Sequence, residues 1–252
     1  MLPRLTDAAH LWLAPDRCVT VLQHRGLRTR AAVRRVTCES GIDSLLAAVS
    51  GELQTLPART PVRVTLSNHL VRFALVPFSP HVVGDGALAG MARQAFRHVH
   101  GSVADEWSIS VSANGLRTRV AAAIDARLQQ GLIDGARSAG VFLAAIDPLL
   151  MHGFNAAREQ LFASGWFAVA EPGRVTLART RDGDWVRVVS TRCGDDWRGA
   201  IVQLVSREAP WVEAGSDGFC QVADFSFEQE DAPPQLAQRV ISVMPHPQLE
   251  VA

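Results

Sequence analysis

The chain contains no lysine and no tyrosine, and all 25 of its basic residues are arginine. Without lysine there is no Walker A loop, whose lysine reaches the terminal phosphates. A protein-kinase site, which needs a strand lysine, is absent as well. Schiff-base and pyridoxal-lysine chemistry is excluded on the same ground. A GC-rich coding sequence accounts for the gap, and the exclusions hold whatever its origin. Net charge is also missing: 25 acidic residues balance the 25 basic ones, so no global field draws nucleic acid or anionic lipid.

Cysteine is scarce. Cys18, Cys38, Cys193 and Cys220 include no C-x-x-C pair, so their spacing gives neither a zinc knuckle nor a thioredoxin-type motif. Four in a chain of 252 residues make no disulfide framework, and they read as small buried residues of a reducing compartment. Long hydrophobic runs are missing too. No stretch approaches the roughly 20 apolar residues of a membrane helix, and Met1 to Arg17 lacks the apolar core of a signal peptide. A cytoplasmic protein without direct membrane insertion is expected.

What is there is a folded chain, 48% hydrophobic and 20% charged, long enough for one large domain or two small ones. Leu11 to Leu13 and Cys18 to Leu22 flank the turn signal Ala14-Pro15-Asp16-Arg17 and predict a hairpin. Ala31 to Val36 adds a third strand. Ser40-Gly41-Ile42-Asp43 opens a helix whose Leu45, Leu46, Val49, Leu53 and Leu56 mark a buried face, stopped by Pro57. Val62 to Leu66 and Leu70 to Val76 are strands around the turn Ser67-Asn68-His69. Val83 to Val99 is an amphipathic helix, with Leu88, Met91, Ala92, Ala95, Phe96 and Val99 on its stripe and Gly101 closing it. Trp107 to Val111 and Thr118 to Ile124 predict a hairpin about Ala113-Asn114-Gly115. Asp125 caps a helix over Ala126 to Ala139. The apolar run Val141 to Ile146 predicts a strand buried on both faces. Asp147-Pro148 then starts a helix as N-cap and first residue, running to about Ala163.

The pattern restarts. Trp166 to Ala170, Val175 to Arg179 and Trp185 to Ser190 are three strands joined by Glu171-Pro172-Gly173 and Asp182-Gly183, both tight-turn sequences. Asp195 caps a helix with Trp197, Ile201, Leu204 and Val205 on its apolar face, and Phe219 to Phe225 is a strand. The tail is polar and Pro-rich from Glu228 to Pro234, with a short helix expected over about Gln235 to Val243. Three antiparallel strands followed by alternating helices and strands form a ribonuclease-H-like layer, and two such layers in tandem make an actin-like fold. The expectation is therefore an α/β chain of mixed sheets and helices in two lobes, the second reduced. The expected division is a first lobe over 1–147, a reduced lobe over 148–227 and a tail over 228–252.

Leu11-Trp12-Leu13-Ala14-Pro15-Asp16-Arg17-Cys18-Val19 resembles the opening hairpin of the actin-like family that includes the pilus-assembly protein PilM and the cytoplasmic domain of the type II secretion protein GspL. The stretch from Val64 to Phe78 is similar to that family's strand pair leading into an amphipathic helix. Asp125 to Leu132, with Gly140 to Leu150, resembles its hinge into the second domain. The resemblance implies a non-catalytic component of a bacterial type IV pilus or type II secretion apparatus, cytoplasmic and peripheral to the inner membrane. It implies as partner an inner-membrane assembly protein, whose short cytoplasmic tail is bound, or the platform's ATPase. Members that bind ATP use two phosphate turns containing glycine and an acid. The first is here Ala14-Pro15-Asp16-Arg17, without the glycine that lets a backbone approach phosphate. The second is Glu171-Pro172-Gly173-Arg174, where proline removes an amide donor. No nucleotide cofactor is expected, and an ATP-binding protein with an eroded site is the alternative.

Ribonuclease-H-like nucleases hold two metal ions on carboxylates, and the candidates are Asp16, Asp125 and Asp147. Asp125 and Asp147 lie where strands meet helices, the place of N-caps, and Asp16 lies in a turn. A metal-dependent nuclease therefore ranks third, and no catalytic residue, metal or nucleic-acid partner is expected. His98 and His100, two apart on a helix, fit a helix C-terminus better than a shared metal. Ser67-Asn68-His69 has no nucleophile elbow around it. Trp12, Trp107 and Trp166 fit strand interiors. Trp185, Trp197 and Trp211 read first as core and otherwise as interface anchors of a layer too short to cover itself; a homodimer is compatible with the latter. The partner surface is placed on the first lobe, where an edge near Val62 to Val76 accepts an added strand or peptide tail. Its candidate residues are Arg72, Phe73, Arg93 and Arg97, the arginines receiving acidic groups; the ordinary alternative is solvated arginines with Phe73 and Phe78 in the core.

Overall fold

The computed structural model describes residues 8–24, 30–77, 84–112, 118–208, 219–225 and 241–245. In chain order the elements begin β1 (Ala8–Ala14), β2 (Arg17–His24), β3 (Arg30–Thr37), α1 (Ile42–Gln54), β4 (Pro61–Leu66) and β5 (Arg72–Pro77). There follow α2 (Asp85–His100), a 3-10 turn (Gly101–Glu106), β6 (Trp107–Val111), β7 (Thr118–Asp125), α3 (Ala126–Ser138) and β8 (Phe142–Pro148). Next come α4 (Leu149–Ala157), a 3-10 turn (Arg158–Gln160), β9 (Gly165–Glu171), β10 (Arg174–Arg181) and β11 (Asp184–Arg192). The last are α5 (Trp197–Glu208), β12 (Phe219–Asp224) and β13 (Ile241–Pro245). The chain divides into two units, Met1–Val71 with Ile124–Leu149, and Arg72–Ala123 with Leu150–Ala252. Residues 72–123 thus group with the C-terminal half, although sequence order had placed them in the first lobe. No described helix is long and apolar enough to cross a membrane.

The first unit is built on a five-stranded sheet of order β3-β2-β1-β4-β8. β1 to β3 form an antiparallel meander, while β4 runs parallel to β1 and β8 parallel to β4. Leu11, Trp12, Leu13, Cys18, Val19 and Val21 are all buried, so the central strands read as hydrophobic runs rather than alternations. α1 and α3 pack together closely. A Cβ on Gly131 would come within 2.5 Å of Leu46 Cδ1, so a larger residue there would have to displace the Leu46 side chain. At the sheet edge, β3 carries exposed Arg34 and Arg35, and Arg34 reaches back to the buried Glu52 of α1 at 2.9 Å. Charges on an edge strand oppose strand addition.

The second unit repeats the order, β11-β10-β9-β12-β13, with β12 parallel to β9. It departs from the first at the fifth strand, because β13 is antiparallel to β12. An antiparallel neighbour needs no crossover helix. Both expected tight turns form. Asp182 and Gly183 adopt φ of 51° and 81°, as a two-residue type I′ hairpin requires, and Gly173 after Pro172 adopts 76°, as in type II. α5 closes a core of Trp166, Leu177, Ile201, Leu204, Cys220 and Val222. Burial pushes the Cys18 and Cys220 thiols up to about 12, which leaves both inert. The same unit holds a three-stranded sheet, β5-β7-β6, whose Val76, Ala121 and Ala123 pack against Ala92 and Phe96 of α2.

Several expectations are corrected. The run Val141 to Ile146 is not buried on both faces: β8 is an edge strand and Phe142 is 63% exposed. Asp147 is no N-cap. It continues β8 opposite Thr65, Pro148 continues it opposite Leu66, and α4 starts only at Leu149 and ends at Ala157. α5 is capped by Asp196 rather than Asp195, since Asp196 Oδ1 accepts from the Gly199 amide at 2.8 Å. β4 and β5 are not paired with each other but belong to different sheets. Val99 lies 72% exposed, one position off the stripe that Leu88, Ala92 and Phe96 define. Ile241 to Val243 is strand, not helix. The Ala113-Asn114-Gly115 turn, Phe78, Val83, Trp211, Glu228 to Pro234 and the rest of the expected final helix lie outside the described residues.

Candidate functional site

In open α/β sheets, ligands bind at the carboxyl ends of the parallel strands. In the first unit those ends are Ala14 of β1, Leu66 of β4 and Pro148 of β8. The β1–β2 turn holds Pro15 and Asp16 between the paired Ala14 and Arg17. Asp16 takes Arg17 Nε and Nη2 on its two oxygens, both at 2.9 Å. This hydrogen bonding holds the Asp16 carboxyl below its ordinary range, with a smaller contribution from the His69 charge. Beside it the Ser67 amide donates to Leu13 O at 2.8 Å, and Ser67 Oγ accepts from the His69 amide at 3.1 Å. Asn68 is fully buried in this turn.

The three carboxylates that sequence singled out for metal each meet an arginine instead. Asp16 binds Arg17, and Asp147 binds Arg63 across β4 and β8. Asp125 accepts from the Arg127 amide at 2.8 Å and from Arg127 Nη2 at 3.2 Å. A guanidinium at the oxygens repels a divalent cation and occupies the lone pairs that would ligate it. Asp125 is the N-cap of α3, as expected. Asp125→Ala is predicted to lower stability by about 0.5–2 kcal/mol and Asp125→Asn to change it little, measured by urea unfolding. A divalent ion that stabilises the wild type but not Asp125→Asn would contradict capping as the role.

The partner candidates are placed on two elements of the second unit. Arg72 opens β5, an edge strand of its sheet, and is exposed. It shares the face of Ala74 and Val76 that packs under α2, whereas the half-buried Phe73 points to the opposite face. Arg93 and Arg97 lie one turn apart on the exposed side of α2. Arg97 is clamped by Asp105 through Nε and Nη2, both at 2.6 Å. The Arg93 charge also reaches Asp105. The four therefore form two groups, one on the strand and one on the helix. His100 packs edge-on against Trp107 at 4.9 Å, and His98 is exposed. Trp12, Trp166 and Trp185 are buried, with Trp185 against Phe154 at 4.5 Å, so these pack as core.

Sequence reasoning missed the surroundings of Arg174. The β9–β10 turn pairs it with Glu171, and the β10–β11 pairing sets it opposite Arg192. Burial lowers the Arg174 pKa, and the charges of Arg72 and Arg192 lower it further. The signal was present in the two tight turns, which fix the register of all three strands once they are aligned.

No family model and no curated protein matches the chain. Solved structures do. The cytoplasmic domain of EpsL, an inner membrane component of the type II secretion system of Vibrio cholerae, matches at 10% identity and a TM-score of 0.56. That match spans 88% of this chain and 84% of the EpsL chain. A Bacteroides thetaiotaomicron protein with an actin-like ATPase fold and unknown function matches at 12% identity and a TM-score of 0.58, over 90% of this chain and 85% of that one. A chain of the PilM-PilN type IV pilus biogenesis complex matches at 18% identity and a TM-score of 0.53, over 80% of this chain and 65% of that one. The fold is actin-like, as the order of elements implied. At these identities the likeness is one of fold.

Proposed function

We propose that the chain is a non-catalytic assembly component of a bacterial type II secretion or type IV pilus apparatus. In this reading it is cytoplasmic, peripheral to the inner membrane, and binds a cytoplasmic segment of an inner-membrane partner. The observation that carries the reading is the β1–β2 turn, where a bidentate Asp16–Arg17 pair stands in place of a glycine-lined phosphate cradle. A fold that keeps its scaffold but closes its phosphate turn is suited to presenting surfaces. Likeness to the EpsL cytoplasmic domain over most of both chains, and to a chain of the PilM-PilN complex, supports the class of apparatus. The docking region is assigned to the edge of β5, with Arg72 and Phe73 on its two sides, and to the exposed side of α2, with Arg93 and Arg97. β5 offers an edge for an added strand, and Arg93, beside the Arg97–Asp105 pair, offers a counter-charge.

The test is crosslinking in cells that carry the apparatus, comparing wild type with Arg72→Glu and Arg93→Glu. Loss of an inner-membrane partner from both variants, with unchanged melting temperatures, is the expected result. If both fold and keep every partner of the wild type, this face is not the docking site.

A further inference from the structure

The three-stranded sheet β5-β7-β6 ends at β6, whose outer edge has no neighbouring strand among the described residues. Of the other edges, β3 carries Arg34 and Arg35, β11 carries Asp184, Arg187 and Arg192, and β8 ends on Asp147 and Pro148. Charge and proline of this kind keep an edge from pairing with another chain. β6, from Trp107 to Val111, has neither. Its apolar residues Trp107, Ile109 and Val111 lie on the α2 side and are only partly buried. Ser108 and Ser110 lie on the opposite face. Two large apolar side chains, Val99 and Val103, stand exposed just ahead of this strand.

The backbone of β6 sets what can pair with it. The Ser112 amide donates to Val120 O of β7 at 2.8 Å, so Ser112 faces β7. Backbone direction alternates along a strand, so Ser108 and Ser110 face β7 as well, and Ile109 and Val111 present amide and carbonyl to the open edge. Trp107 presents its carbonyl there, because its amide donates to Ala104 O in the preceding turn. A second β6 matches this pattern. Antiparallel about a twofold axis at Ile109, it sets Ile109 opposite Ile109, Trp107 opposite Val111 and Ser108 opposite Ser110. The two Ile109 residues then exchange both backbone bonds, and each Val111 amide donates to the Trp107 carbonyl of the other copy. Aromatic meets β-branched on one face, hydroxyl meets hydroxyl on the other, and no like charges are opposed. We infer that β6 is a homodimer edge, which joins two copies of the chain into one continuous sheet of order β5-β7-β6-β6-β7-β5. The inference goes beyond the docking reading, which uses β5 and α2, and does not depend on it.

Sedimentation velocity on the full chain over a hundredfold range of concentration tests it, and a reversible monomer–dimer equilibrium is expected. Hydrogen exchange should slow with rising concentration at the Ile109 and Val111 amides, and not at those of Ser108 and Ser110, which face β7. Ser108→Lys with Ser110→Lys sets lysine against lysine at both serine pairs and should weaken the dimer at least tenfold. Ser108→Glu with Ser110→Lys sets opposite charges against each other in the same register and should dimerise at least as tightly as wild type. Both serines point away from the α2 core, and melting temperatures check that each variant folds. If the double lysine variant does not, Ser110→Lys alone, at an exposed position, should still weaken the dimer severalfold. A chain that stays monomeric at every concentration, a dimer that the lysines leave untouched, equal weakening by both charged pairs, or exchange at Ile109 and Val111 that ignores concentration overturns the inference.

Discussion

Trp166→Ala is expected to lower stability by about 3–5 kcal/mol, the range for deleting a large buried aromatic. Trp166 is 2% exposed on β9, the central strand of the second sheet, and packs with Leu177, Ile201, Leu204 and Cys220. The Arg179 guanidinium lies 4.9 Å from its ring centroid, and Arg179 is itself only 6% exposed. Removing the indole therefore opens a cavity and strips a buried cation of its aromatic partner. For a domain of this size the melting temperature falls by about 2–4 °C per kcal/mol. Trp197→Ala should cost much less, because Trp197 is only partly buried at the margin of the same core. The comparison separates core tryptophan from interface tryptophan. If Trp166→Ala leaves the melting temperature unchanged while Trp197→Ala collapses it, the packing described for this layer is wrong.

The second large effect concerns Glu52. Its side chain is 3% exposed and its counter-ion, Arg34, is 51% exposed on the edge strand β3. Breaking a fully buried pair costs about 3–5 kcal/mol because a charge is left alone in the interior. The solvent at Arg34 screens this pair, so Arg34→Ala is expected to cost about 2 kcal/mol. Replacing both members, Arg34→Ala with Glu52→Met, should recover most of that loss, since a packed hydrophobe often equals or exceeds a buried ion pair. Urea unfolding of the two single variants and the double variant measures the coupling directly. Additive losses would mean that Glu52 is not held by Arg34.

Much of this architecture was legible because its signals are local. The first meander and α1 follow from the Pro15-Asp16 turn and the spacing of Leu45, Val49 and Leu53. The second meander follows from two tight turns whose glycines take the required positive φ. What was not legible depends on position in the sheet. The run from Val141 to Ile146 is apolar enough for a central strand, but hydrophobicity does not say whether another strand will lie beside it, and β8 is an edge. Asp147-Pro148 carries the signature of a helix start, yet pairing with Thr65 and Leu66 extends the strand through both residues. The backbone ladder outweighs a cap that local sequence offers. Residues 72–123 likewise could not be assigned to a unit from sequence order, because β5 leaves β4 for a different sheet.

The candidate sites show the same split. That the β1–β2 turn lacks glycine was readable at once, whereas the Asp16–Arg17 clamp needed the turn geometry. Arg72, Arg93 and Arg97 were singled out in the sequence by their charge and their place on or beside a strand and an amphipathic helix. Arg174 and Arg192 were not, because eighteen positions of chain separate two residues that the hairpin register sets side by side.

The claim at the centre of this account is that the phosphate turns of an actin-like scaffold are closed in this protein. Thermal unfolding with and without millimolar Mg-ATP tests it most directly. A ligand at 100-fold excess over its Kd would add about 2.7 kcal/mol, and at about 2–4 °C per kcal/mol the transition would move by several degrees. The account predicts a melting temperature unchanged by Mg-ATP. A rise of several degrees, abolished by excess EDTA, would contradict it and would establish nucleotide binding at this fold.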